Sequence, residues 1–131
     1  MAGTVLFDTD VLVDFLRGHP QAVALLESTV GDFVISSIVA AELYAGVKGD
    51  EELKTLDRFL SLFRVAPVSR DIARAGGLYR KTFGKSHGLG LADAIIAATA
   101  VVDQADLKTL NTKHYPMIKG LKPAYVKSSP P

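Results

Sequence analysis

A chain of 131 residues, 48% apolar, with no cysteine and a net charge of +1, is long enough for one domain with its own core and too apolar for disorder. Without cysteine there is no disulfide framework and no thiolate metal site, which fits a reducing compartment. The most apolar window, "GLGLADAIIAATAVV", contains Asp93 and is shorter than the ~20 residues of a membrane span. No basic segment precedes an apolar run at the N-terminus, so a soluble cytoplasmic protein without membrane contact is expected.

The elements in chain order begin with a strand, Thr4 to Phe7, running at once into "DTDVLVDFLRG". This reads as a short helix capped near Thr9 or Asp10 and stopped at Gly18. Pro20 suits the first turn of a second helix, "PQAVALLEST", and "DFVIS" is a β-branched strand. Ser36 or Ser37 then caps the helix "SIVAAELYAGVK", ended by Gly49. "DEELKTLDRFLSLF" carries Leu53, Leu56, Phe59, Leu60 and Phe63 on one helical stripe.

"RVAPV" is a third strand, edge-like because of Pro67. Ser69 caps "RDIARAGGLYRKTFGK", in which Gly76-Gly77 would weaken or bend the helix. "GKSHGLG" reads as the most flexible loop, before an apolar helix from Leu91 to Val102 and a strand "LKTL" running into Asn111. The tail "LKPAYVKSSPP" would add a short strand and then fray over residues 126–131. Strands separated by helices imply an α/β fold with a parallel sheet of about four to five strands and helices on both faces. Ligands of such sheets gather beyond the carboxyl ends of the strands, where Asp8 and Asn111 fall.

Three carboxylates stand out against their surroundings. Asp8 ends a buried strand, Glu42 lies among apolar and small residues, and Asp93 sits in the first turn of a helix whose only other polar residue is Thr99. Each has a plainer explanation: a helix cap for Asp8 and Asp93, a narrow polar stripe for Glu42. Asp10 and Asp14 share a helix face, where Asp14 is expected to be solvated and Asp10 to cap the helix or support the site. Carboxylates drawn within a few ångströms repel unless a cation intervenes, and hard oxygen donors select Mg²⁺ or Mn²⁺ over zinc. Charge is also uneven: residues 1–63 hold four Lys/Arg against ten Asp/Glu, residues 64–131 eleven against four. An acidic centre bordered by a basic surface suits a metal and a polyanion.

With these residues in view, the chain resembles the PIN-domain family, and within it the VapC-type toxin ribonucleases. "VLFDTDVLVDFLRG" is similar to the family's first motif with Asp8 as its acid, and "VISSIVAAELYAG" to the second with Glu42. "GLGLADAIIAATA" is similar to the third with Asp93, and "TLNTKHYPMIKGL" to the closing segment, in which Asn111 stands where many members carry a fourth carboxylate. The similarity spans about residues 4–126.

The resemblance implies a single PIN domain over residues 1–131, with a three-layer α/β/α fold. It further implies an Mg²⁺- or Mn²⁺-dependent endoribonuclease with Asp8, Glu42, Asp93 and Asn111 as catalytic residues. Asp8, Glu42 and Asp93 would bind the metal, and Asp10 and Ser37 would orient those ligands. Arg80, Lys81, Lys85 and Lys113 are candidates for contact with RNA phosphates. A VapB-type antitoxin and a homodimer are the implied partners. Two alternatives remain at this level: a non-catalytic RNA-binding or interaction PIN domain, and a haloacid-dehalogenase-type phosphatase, whose strand–Asp-x-Asp opening "VLFDTDVL" also fits.

Overall fold

Val5, Leu6 and Phe7 of β1 (Thr4–Phe7) are all buried, as in a strand covered on both faces. The computed structural model describes residues 3–127. β2 (Asp32–Ser36), β3 (Arg64–Ala66) and β4 (Asp106–Lys108) complete a four-stranded parallel sheet in the order β3-β2-β1-β4. Leu6 pairs with Val34 on one side and Leu107 on the other, and Ile35 pairs with Val65. The crossovers are helical: α1 (Thr9–Leu16) and α2 (Pro20–Ser28), then α3 (Ser37–Ala45) and α4 (Gly49–Leu60), then α5 (Arg70–His87) and α6 (Leu91–Val102). A 3-10 turn, Thr112–His114, follows β4. The expected parallel α/β sheet flanked by helices is present, with four strands.

The core packs around rings. Phe7 meets Phe33 and Phe63 edge-on at centroid distances of 5.0 and 5.8 Å, and Phe59 bridges Phe63 to Phe15. Each such contact adds about 0.5–1.5 kcal/mol beyond area burial. Leu56, Phe59, Leu60 and Phe63 form the expected buried stripe, but Leu53 is 40% exposed at its margin.

Several boundaries differ from the expected ones. Asp8, not Thr9 or Asp10, holds the N-cap position of α1, because the strand ends one residue before it. α3 stops at Ala45 with Gly46 as its C-cap, and Gly49, expected to end α3, opens α4 at φ +77°. α5 continues through Ser86 and His87, where the His87 ring packs edge-on against Phe83 one turn earlier. Only Gly88, left-handed at φ +64°, ends it. The anticipated flexible loop is thus three residues long, with Leu89 fully buried within it. Gly76-Gly77 does not break α5. β4 ends at Lys108, the residue paired with Phe7, where its partner β1 itself ends. Among the described residues the C-terminal segment forms no strand: Ala124 N–H donates to Thr109 O, a single backbone bond. Of the expected frayed tail, residues 128–131 lie outside the described residues. The Val126 carbonyl accepts from Gln21, and Lys127 pairs with Asp14.

The order of strands decides where a ligand can enter. The chain leaves β1 toward β2 and β3 and then crosses to the opposite side for β4. The direction of winding therefore reverses between β1 and β4, and crevices at such reversals open at the carboxyl ends of the strands.

Candidate metal and nuclease site

Asp8 leaves β1 at that reversal, 5% exposed. Its Oδ1 accepts from the Thr9 backbone N–H at 2.7 Å, and its Oδ2 from the hydroxyls of Thr109 and Tyr115, each at 2.8 Å. Thr109 is placed by the end of β4 and Tyr115 by the 3-10 turn, so three segments converge on one carboxylate. Burial, with the charges of Asp8 and Asp93, pushes the Tyr115 phenol far above its ordinary value. It stays a neutral donor.

Asp93 stands in the first turn of α6, where unpaired backbone N–H groups favour an anion. No side chain caps this helix, so the plain capping explanation for Asp93 does not hold. Burial, and then the charge of Asp8, raises the Asp93 carboxyl above its usual range, with partial relief from His114 and Tyr115. His114 Nδ1 lies 3.4 Å from Asp93 Oδ2 and makes no hydrogen bond there. Asp10, half-buried beside Asp8, is pushed up to about 6 by burial first and by Asp8 second. Its Oδ2 accepts the Leu110 N–H at 3.0 Å and its Oδ1 the Val11 N–H at 2.7 Å. Asp10 thus ties α1 to the turn carrying Thr109 and Asn111.

Glu42 projects from α3, exposed, and its Oε1 accepts the Thr9 hydroxyl at 2.8 Å. The third acid is therefore joined to the residue after Asp8 rather than to Asp8 itself. Among the described residues, no three Asp, Glu or His side chains stand close enough together to form a finished cation cage. Asn111 is exposed at the rim, and its backbone N–H donates to Thr109 Oγ1. Among the described residues Ser37 makes no bond to a carboxylate; the α3 cap is Ser36, whose Oγ accepts the Ile38 N–H. Arg80, Lys81 and Lys85 lie exposed along α5 toward the end that leads into α6, and Lys113 is exposed beside His114.

Thr9, Thr109 and Tyr115 are the site residues that sequence reasoning passed over. Only Thr9, wedged between two aspartates, carried a local signal. A cleft of about 590 Å³ opens beside Glu42 between α1, α3 and α4, lined by Val13, Leu16, Leu43, Val47 and Leu56.

The donor set suits a hard divalent cation. Among the described residues no Lys or Arg forms an ion pair with Asp8, Asp10, Glu42 or Asp93, and the acids' own burial and repulsion raise two of them. A cation between Asp8 and Asp93 would relieve that strain, while Glu42 stands apart, bonded to the Thr9 hydroxyl.

The sequence matches the PIN-domain family over residues 5–116. It is 42% identical over 124 residues to Ribonuclease VapC19 of Mycobacterium tuberculosis, covering 92% of this chain and 98% of the relative. Ribonuclease VapC10 of the same organism is 40% identical, covering 92% of each. A toxin–antitoxin complex from Klebsiella pneumoniae superposes with a TM-score of 0.80 at 34% identity, over 92% of this chain and 98% of the other. VapBC2 from Rickettsia felis, bound to a DNA fragment from its promoter, gives 0.71 at 28% identity, over 90% and 95%. The chain belongs to the PIN-domain family, in the company of the VapC proteins. The phosphatase alternative ends here: "VVDQAD", which would have to supply its later acidic pair, runs from the end of α6 into β4, and Asp10 is engaged by the Leu110 N–H.

Proposed function

We propose that the protein is a divalent-metal-dependent endoribonuclease, the toxin of a pair whose antitoxin is of the VapB type. The observation that carries this is the pairing of buried Asp8 with half-buried Asp93 at the β1/β4 reversal, where the charge of Asp8 helps raise the Asp93 carboxyl and, among the described residues, no Lys or Arg pairs with either. The 40–42% identical relatives bear the name ribonuclease, which supports the substrate class.

Asp8 and Asp93 would hold Mg²⁺ or Mn²⁺, with Glu42 completing the set. The bound ion would supply neutralisation of phosphodiester charge and a more acidic water. Thr109 and Tyr115 orient Asp8, and Asp10 fixes the turn that carries Asn111. Lys85 and Lys113, with Arg80 and Lys81 further along α5, would hold RNA phosphates with little preference for sequence, so binding should weaken as salt rises. The apolar cleft beside Glu42 fits an amphipathic antitoxin segment that reaches the acids. A homodimer in the cytoplasm completes the proposal.

Asp93→Asn tests it. Cleavage of RNA in Mg²⁺ or Mn²⁺ should fall by at least about 100-fold, ~3 kcal/mol of transition-state stabilisation, while the circular dichroism spectrum is unchanged. Equal cleavage by the variant would overturn this mechanism, whereas RNA binding without cleavage by the wild type would favour a non-catalytic, RNA-binding PIN domain.

A further inference from the structure

The two oxygens of Asp8 are not equivalent. Among the described residues, Oδ1 accepts one protein hydrogen bond, from Thr9 N–H, whereas Oδ2 accepts two, from Thr109 Oγ1 and Tyr115 Oη. An ionised carboxylate offers about four lone-pair sites, roughly two per oxygen. Donors among the described residues therefore fill Oδ2 and leave one site on Oδ1 open. The Thr109 hydroxyl has one proton to give. Its 2.8 Å distance to Asp8 against 3.5 Å to Asp10, and the Asn111 N–H it receives, place that proton on Asp8.

The Tyr115 ring is 1% exposed and packs in the main core. A phenylalanine ring would fill the same space, so packing does not require the hydroxyl, which donates to Asp8 Oδ2 at 2.8 Å and also helps lower the Asp93 carboxyl. We infer that Tyr115 is a positioning residue that, together with Thr109, locks the Asp8 carboxylate so that Oδ1 is the oxygen presented to the cation. This rests on the metal-dependent reading above. Removal of either hydroxyl frees a lone pair on Oδ2 and lets the carboxylate turn, so the metal meets a ligand with two competing orientations.

The test is Mn²⁺ binding to the full chain without RNA, by calorimetry and by the electron paramagnetic resonance signal of free Mn²⁺. Tyr115→Phe and Thr109→Val should each weaken binding by about 10-fold or more, and Thr109→Ser, which keeps the hydroxyl, should bind as wild type. Tyr125→Phe removes a different, partly buried hydroxyl bond, to Asp14, and should leave Mn²⁺ affinity unchanged. In RNA cleavage, the Tyr115→Phe deficit should close to within about twofold as Mn²⁺ is raised, which a purely structural defect would not do.

Wild-type affinity in Tyr115→Phe, with Asp93→Asn unable to bind, overturns the role of Tyr115 and leaves the metal reading standing. Failure of wild type itself to take up Mn²⁺ overturns both. Should Tyr115→Phe not fold, the Thr109 variants decide: equal affinity for Val and Ser at that position overturns the inference.

Discussion

Asp10 sits close enough to Asp8 to feel its charge, yet both its oxygens are spent on backbone N–H groups, of Val11 and Leu110. An asparagine there could still accept one of those bonds and would carry no charge. Asp10→Asn should therefore stabilise the metal-free protein, by about 1 kcal/mol or roughly 4 °C in Tm, when melted in EDTA at pH 7.5. The gain should shrink in excess Mg²⁺, where a cation already offsets the repulsion. At this scale the acids were legible in the sequence because charge in apolar surroundings has few explanations. The hydroxyls were not, because threonine and tyrosine suit almost any environment and the partners of Asp8 lie 101 and 107 residues away. Asp14 misled for the same reason. Expected to be solvated, it is 6% exposed, because Tyr125 and Lys127 reach it across 111 and 113 positions.

Elements with a strong local pattern came out of the sequence residue for residue: β1, β2 and α6 begin and end where periodicity and β-branching put them. Ends set by tertiary contact did not. α5 runs past its expected stop, with His87 packed on Phe83, and β4 is cut short where its partner β1 ends at Phe7. The glycine pair in α5 was legible only as a weakness, whereas its two members differ. A Cβ on Gly76 would stand 3.2 Å from the Ile95 Cα and 3.4 Å from the Ala94 carbonyl oxygen of α6, backbone atoms that cannot yield without moving the helix. Gly77 faces open space. Gly77→Ala should stabilise the protein by about 0.5–1 kcal/mol through helix propensity. Gly76→Ala should lose that gain and destabilise by about 1 kcal/mol as α5 and α6 are forced apart. Urea unfolding of the two variants separates these outcomes, and because Asp93 rides on α6, Gly76→Ala should also reduce Mn²⁺ affinity.

At the scale of the molecule, the oppositely charged halves of the chain are joined where they meet, by Asp32–Arg64 along the sheet edge and by Asp14–Lys127 across the C-terminal segment. The second junction is the more informative. Lys127 and Tyr125 bond the two oxygens of Asp14, Val126 O accepts from Gln21, and the Tyr125 ring stacks on His19, so the segment closes over α1 and the start of α2. Burial alone would raise the Asp14 carboxyl. The hydrogen bonds from Lys127 and Tyr125, with the charge of Lys127, more than offset this and hold it below its ordinary value of 3.8. A carboxyl depressed in the fold contributes stability that is complete above the ordinary value and lost as pH falls through the folded one. Asp14→Ala should therefore cost about 2 kcal/mol at pH 7, the scale of a charged hydrogen bond, and the gap from wild type should close below about pH 4. Denaturant unfolding at a series of pH values measures this. A gap that persists unchanged into acid would mean that the segment is held by its ring and backbone contacts, with the Asp14 charge contributing nothing.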